Sequence, residues 1–378
     1  MRRAAIAATV TLVAACIACG GAERSTSPSN QSGAPPATNP GGAPATAPLG
    51  ETAPYGLRPD ASAPAPRFTA SIVDTNAIVY IRALGHVNPP SHTFPSDHIY
   101  FYLSDPSRCP CPLPAPVPVY APGNGTVVEV QRAGAQFADD AIRVTMSSSA
   151  YWYLNHVTLD PSIQVGQQLA AGQRLGTTSG IVFAVDLGLV NANRTRTGYI
   201  NSNRYPYSSI HAESPIAFYD EPLRSRLQAR VLRVGSDKDG RADYDVAGRL
   251  AGGWFVAGTT DAAMGGPDVW SKTLYFLHDV ERPDELRISV GGTLSLAPGV
   301  FAVQPDSIIP ALPSFETVGQ SNGAVSYPLY NAIVPAGNRP LVGHLLVQLL
   351  AGDTLQAEIF SGTAAPTAFT DKAVRYTR

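Results

Sequence analysis

The chain has 378 residues, 44% of them apolar, and carries a formal net charge of −2. That length suits one large domain, or two ordinary ones with extensions. The near-neutral balance, with no cluster of basic residues, excludes a nucleic-acid-binding surface.

Arg2 and Arg3 open the chain, an apolar run follows from Ala4 to Ala15, and Cys16 comes directly after it. A charged start, a short apolar core and small residues before a cleavage point predict a secretory signal over residues 1–19. The run falls short of the roughly 20 apolar residues that a spanning helix needs. Val13-Ala14-Ala15-Cys16 resembles a bacterial lipobox, so Cys16 is the expected lipidation site, with Cys19 as the fallback. Residues 20–66 are dominated by Ala, Pro, Ser, Thr and Gly. Such a segment buries too little apolar surface to offset its ordering entropy, which predicts a disordered tether.

From Arg67 onward the pattern is that of strands. Residues 70–82, 98–103, 117–130, 141–146 and 181–190 are short runs of β-branched and aromatic residues bounded by Gly, Pro, Asn or Asp. Residues 221–230 are the best helix candidate, with Pro222 near the start and Leu223 and Leu227 four apart. Residues 231–246 read as a boundary. The aspartates 237, 239, 243 and 245 invite a calcium reading there, but no glutamate closes the loop at its twelfth position, so a solvated turn is expected. A second β pattern follows at 251–258, 273–280, 286–291, 324–330, 341–350 and 354–360. Its best hairpin joins the last two runs through a three-residue turn containing Gly352. The expectation is all-β, with domains at 67–230 and 240–378, the second a sandwich or small barrel. Cys109 and Cys111 are too close in sequence to bridge without strain, so partly buried or externally paired thiols are expected.

Four segments of the first domain carry chemistry in their order: PPSHTFPSDHIYFYL (89–103), PVYAPGNGTVVEV (118–130), YWYLNHVTL (151–159) and IQVGQQLAAGQRLGTTSG (163–180). Over about residues 85–190 this succession resembles the LytM/lysostaphin-like zinc endopeptidases of peptidoglycan, which have the duplicated-hybrid-motif fold. In that family a His and an Asp open the domain, a hairpin and a YxHL strand follow, and an HxH strand comes last. The resemblance implies a duplicated-hybrid-motif-like β-sandwich and a zinc ion on three protein ligands, leaving a position for water. It also implies a histidine that moves protons.

Carried over by residue, the resemblance makes His92 and Asp97 metal ligands, spaced five apart instead of the family's four, and His156 the catalytic histidine. With Phe183 set against the aromatic after HxH, the two histidine positions fall on Gly180 and Val182, which cannot ligate. His98 is then the substitute ligand, while His86 and His211 have no positional support. Asp186 is set aside, because four residues of strand carry it ~13 Å beyond Val182. Taken singly, each histidine could simply hydrogen-bond within the fold. The implied protein is a degenerate member: exported, lipid-anchored to the cell envelope, with zinc weakly held or absent. Its implied role is noncatalytic, binding peptidoglycan or regulating a wall hydrolase. The alternative is an active zinc endopeptidase with an atypical third ligand. Two neighbouring readings fall away. A lipoyl-type carrier needs a lysine at a hairpin tip, and none precedes Lys238. An efflux-pump adaptor needs long coiled-coil helices, for which no pattern exists.

Overall fold

A computed structural model describes residues 53–107, 112–135, 137–259, 267–304, 312–333 and 335–378. The leader with Cys16, and the Cys109–Cys111 pair, lie outside the described residues.

The first domain is built from β1 (Tyr80–Arg82), β2 (His98–Tyr102), β3 (Pro118–Tyr120), β4 (Gly125–Gln131), β5 (Asp140–Thr145), β6 (Ala150–Leu159), β7 (Gln168–Leu169), β8 (Arg174–Thr178), β9 (Ala184–Asn191) and β10 (Ala212–Glu213). These form one antiparallel sheet system in the order β1-β2-β9-β6-β5-β4-β7, with β10 beside β9 and β8 joining β3 to β6. Side chains alternate across it, as the two-residue period of a strand requires. Ile99, Phe101, Trp152, Leu154, Val185 and Leu187 face the main core. His98, Tyr100, Tyr153, Asp186 and Gly188 therefore share the opposite face.

The last part of the predicted tether is held on this sheet. Leu57 is buried against Tyr151, Tyr153, Val190 and Ala192. The Arg58 amide donates to the Ser148 carbonyl at 3.0 Å. Tyr55 meets Tyr151 edge-on at 5.4 Å and Asp60 accepts from the Ser148 hydroxyl at 2.5 Å, so a few specific contacts outweigh a composition that otherwise reads as unstructured. Short helices α1 (Tyr207–Ile210) and α2 (Leu223–Gln228) follow β9 and β10, with Leu227 of α2 buried.

The boundary segment is a solvated turn at 234–237, with the Asp237 side chain 56% exposed, and becomes a buried seam at Asp243 and Asp245. Asp245 is 6% exposed. It accepts from the Gly253 amide at 2.8 Å, the Ile200 amide at 3.1 Å and the Tyr205 hydroxyl at 3.1 Å. Asp243 pairs with Arg196 at 2.9 Å, and Asp237 with Arg233 at 3.0 Å. The carboxylates of Asp237, Asp243 and Asp245 turn to separate partners, so these three do not gather around a common cation.

Beyond the seam lie β11 (Gly252–Val256), α3 (Pro267–Ser271), β12 (Thr273–His278), β13 (Leu286–Val290), β14 (Gly299–Ala302), β15 (Ala324–Asn331), β16 (Leu341–Leu350), β17 (Thr354–Phe360) and β18 (Val374–Thr377). Each strand pairs with the next, and β18 returns to β11, closing an eight-stranded barrel. Eight strands enclose an interior that side chains can fill, and Trp254, Phe276, Ile288, Phe315, Tyr327 and Val347 do so. The β16–β17 turn has Gly352 at φ 68° and Asp353 at φ 48°, a left-handed pair in which glycine is strain-free. The all-β expectation holds, and of sandwich or barrel the second domain is the barrel. Among the described residues no helix is long and apolar enough to cross a membrane.

Candidate functional site

The four residues singled out by the resemblance come together at the start of β2 and the far half of β6. His98 opens β2, pairing with Gly188 of β9, and Tyr100 pairs with Asp186. On the other side of β9, Asp186 pairs with Asn155 of β6. Asp186 is thus placed between β2 and β6, on the face away from the core.

His156 reaches that face by a break in the alternation of β6. Trp152 and Leu154 point into the core, and parity would send His156 after them. Residues 155 and 156 instead lie opposite the single residue 141, between the pairs Asp140↔Val157 and Ile142↔Leu154. Two residues against one is a β-bulge, a device that re-aims a side chain. His156 absorbs the extra residue at φ 65°, a region that costs a non-glycine residue about 1–3 kcal/mol and is found where function requires it. The bulge returns Val157 to the core and turns the imidazole toward Asp186.

Both imidazoles have the same arrangement. His98 Nδ1 lies 2.8 Å from Asp97 Oδ1, and His156 Nδ1 lies 2.8 Å from Asp139 Oδ2. His98 Nε2 and His156 Nε2 each lie 3.4 Å from Asp186 Oδ2. Within this group, His98 Nε2 and Asp186 Oδ1 are buried without a hydrogen-bond partner. The 3.4 Å approach at His98 is therefore an ion-pair distance and not a hydrogen bond. Desolvated polar atoms left in this way cost about 1–3 kcal/mol each unless something else satisfies them.

Asp97 is further fixed by Tyr153, whose hydroxyl donates to Asp97 Oδ1 at 2.6 Å. The Tyr153 ring crosses over Gly188, where an added Cβ would fall 2.0 Å from two ring carbons. Burial pushes the Asp97 carboxyl up, but hydrogen bonds from His98, Ser208 of α1 and Tyr153, with the His98 charge, outweigh it and hold it well below the usual range. Burial pushes His98 down, yet Asp186 and Asp97 leave it raised overall. Burial, and then the neighbouring His98, lower His92 to about 3, so its imidazole is neutral.

His92 stands at the edge of the group, its ring centroid 5.4 Å from that of His98 and 5.3 Å from that of Trp270 on α3. The Thr93 hydroxyl donates to the Trp270 carbonyl at 2.6 Å. Trp270, Phe94, Tyr205, Phe255 and Tyr275 belong to one apolar cluster that spans both domains. The barrel domain thus covers the His92 edge of the site; the His98 and Asp186 side chains are 6% and 3% exposed, while His156 and Asp97 keep 14% and 15%.

Asp186 is the residue that sequence reasoning discarded. The ~13 Å offset from Val182 assumed that Val182 marked the family's histidine position. The strand starts only at Ala184, and it is Asp186 that lies beside both β2 and β6. A signal existed: Asp186 is the one charged residue of an eight-residue strand buried throughout, and a buried carboxylate needs partners. His211 is elsewhere, while His86 borders the group, its ring 5.3 Å from that of Tyr100. His86 sits 3.2 Å from an Arg82 guanidinium nitrogen, and His211 bonds the Arg194 carbonyl at 2.6 Å.

Zinc suits this chemistry: two imidazoles and a carboxylate, with orphaned buried atoms at its centre. The shell is not drawn closed, since among the described residues no group of three or more His, Cys, Asp or Glu side chains is set to hold an ion as it stands. Bound there, zinc would supply a Lewis acid and acidify a water.

No protein-family model matches the chain, and no curated protein matches it. Solved structures do. Csd3 of Helicobacter pylori is 11% identical over 34% of this chain and 33% of its own, with a TM-score of 0.26. A zinc-containing peptidase from Vibrio cholerae is 18% identical over 34% of this chain and 38% of its own, with a TM-score of 0.25. The catalytic domain of the antimicrobial peptidase lysostaphin from Staphylococcus simulans is 13% identical over 33% of this chain and 90% of its own, with a TM-score of 0.24. The chain thus spans well under half the length of the first two.

Proposed function

We propose that this protein is a lipid-anchored cell-envelope module of LytM-like construction that does not hydrolyse peptide crosslinks. In this reading it binds peptidoglycan or regulates a wall hydrolase. The order of the four motifs supports the wall-facing ancestry, and Cys16 after its apolar run supports export and anchoring. One observation carries the noncatalytic reading: Trp270 and Thr93 close the barrel domain over His92, above side chains only a few per cent exposed. Catalysis at a metal needs an open position that substrate can reach, and the cover over the His92 edge, with His98 and Asp186 almost fully buried, is what favours the noncatalytic reading.

The alternative, a working zinc endopeptidase, is favoured by a different observation. Asp186 Oδ2 lies 3.4 Å from the Nε2 atoms of His98 and His156, a third donor beside two imidazoles, so loss of the metal does not follow from the missing HxH pair alone. Incubating the purified full chain with sacculi separates the two. Co-sedimentation without released peptides supports the binder or regulator. Released peptides that disappear with Asp186→Asn establish the peptidase.

A further inference from the structure

We infer that the residues able to hold a divalent metal are His98, His156 and Asp186, a set displaced from the His92–Asp97 pair that the resemblance implies, with Asp97 and Asp139 as positioning carboxylates. His156 accordingly changes role, from proton carrier to ligand. This extends the proposed function to the site itself and is tested apart from it, because metal content and wall binding are separate measurements.

Three features of the geometry lead here. The first is direction. A histidine ligates through one ring nitrogen, and the group bonded to the other nitrogen sets the tautomer. With Asp97 and Asp139 each 2.8 Å from an Nδ1, both imidazoles are held with Nε2 toward Asp186. Two histidines backed by aspartates and facing one carboxylate form the outer-shell pattern of a metal centre.

The second is spacing. Ligand bonds of about 2.0–2.1 Å in a tetrahedron separate neighbouring donor atoms by about 3.3 Å. Both Nε2 atoms lie 3.4 Å from Asp186 Oδ2, so these two edges are already near their final length. The third is lack of satisfaction. His98 is 4% and Asp186 2% exposed, and His98 Nε2 and Asp186 Oδ1 have no hydrogen-bond partner. An ion beside Oδ2 would satisfy His98 Nε2 directly, and would satisfy Asp186 Oδ1 as well where the carboxylate binds through both oxygens.

Asp97 is committed to positioning, its Oδ1 taken by the Tyr153 hydroxyl and His98 Nδ1 and its carboxylate bonded by Ser208 as well. His92 stacks toward Trp270 from the edge of the group. Relative to the resemblance, the imidazole and the carboxylate have traded strands. The opening strand β2 contributes His98, one residue after the matched Asp97, and the closing strand β9 contributes Asp186, four residues beyond the position matched to the last histidine. The donor types of a zinc site survive the exchange.

The test is metal binding by the full chain after stripping with EDTA. Zinc is titrated with a competing chromophoric chelator, and cobalt absorption reports the coordination number. The expected result is one zinc per chain, with affinity lowered at least a hundredfold by His156→Ala or Asp186→Asn. Asp139→Asn, which disturbs only the outer shell, should cost 10–100-fold. Histidine ring nitrogen NMR on the unaltered protein provides a second readout that does not depend on the folding of any variant. Zinc should shift the Nε2 resonances of His98 and His156. Binding that survives His156→Ala and Asp186→Asn but is lost with His92→Ala would overturn the assignment. So would the absence of any zinc-dependent shift at His98 and His156.

Discussion

Replacing Gly188 by alanine places a methyl group inside the ring of Tyr153. The added carbon would lie 2.0 Å from Tyr153 Cε1 and Cζ and 2.5 Å from its oxygen, whereas carbon atoms pack at about 3.5–4.0 Å. The ring must therefore move by about 1.5–2 Å. Tyr153 is 5% exposed, so there is little room, and overpacking of this kind costs about 1–3 kcal/mol. The same movement breaks the 2.6 Å bond from the Tyr153 hydroxyl to Asp97. Hydrogen bonds to charged groups contribute about 1.5–3 kcal/mol, giving a total near 4 kcal/mol if both losses are complete. Urea unfolding followed by tryptophan fluorescence would measure it. In a Tyr153→Ala background the methyl group enters vacated space, and Gly188→Ala should cost less than about 1 kcal/mol, leaving a coupling energy of at least about 2 kcal/mol. Equal costs in the two backgrounds, or a change within about 0.5 kcal/mol in the natural one, would refute the account of why residue 188 is glycine.

Trp270→Ala removes a buried indole at the domain seam and should cost about 3–5 kcal/mol in the same assay. It should also uncover His92, which is neutral at pH 7 and therefore reactive once reached. Carbethoxylation of His92, followed by mass spectrometry, should accelerate at least tenfold; an unchanged rate would mean that Trp270 is no roof. In the barrel, His278 Nδ1 lies 2.7 Å from the Pro283 carbonyl and Nε2 2.8 Å from Glu316. Both partners accept, so the bound ring is an imidazolium. The Glu316 hydrogen bond raises the His278 pKa against the opposing effect of burial, and the His278 hydrogen bond lowers that of Glu316. The histidine contribution is complete below its unfolded pKa and is lost as pH rises through the higher folded value. The glutamate contribution is present above its unfolded pKa and is lost as pH falls. The pair should thus stabilise most between about pH 4.5 and 6.5. With Glu316 more than a third exposed, screening limits the gain to about 0.5 kcal/mol. His278→Ala should flatten that part of the pH–stability profile, and an unaltered profile would exclude the pair as its source.

How much of this could be read from residues alone depends on what kind of constraint each element obeys. The β16–β17 hairpin was legible because alternation and a Gly-containing turn are local and have few structural solutions. Barrel closure was not, since β18 pairs with β11 across more than a hundred residues and no local pattern encodes that register. Leu57 shows the limit of composition: in an Ala- and Pro-rich stretch, one buried apolar side chain, with Tyr55 against Tyr151 and Asp60 bonded to Ser148 and Asn193, seats the start of residues 53–66 on the sheet.

The site divides in the same way. The approach of His98 and His156 follows from motif order, but the atoms that each presents follow from two backbone facts. One is the bulge at 155–156, which moves His156 from the core face to the Asp186 face; a parity count along YWYLNHVTL gives the wrong side. The other is the start of β9 at Ala184, which decides whether Asp186 is remote or central. An alignment to a motif assumes that ligand type is fixed at each position, whereas a metal requires only that suitable donors converge. When β2 and β9 are neighbours, histidine and aspartate can exchange strands while the donors still meet at one point. The informative quantity is therefore the residue set of the strand pair, not the identity expected at either position by itself.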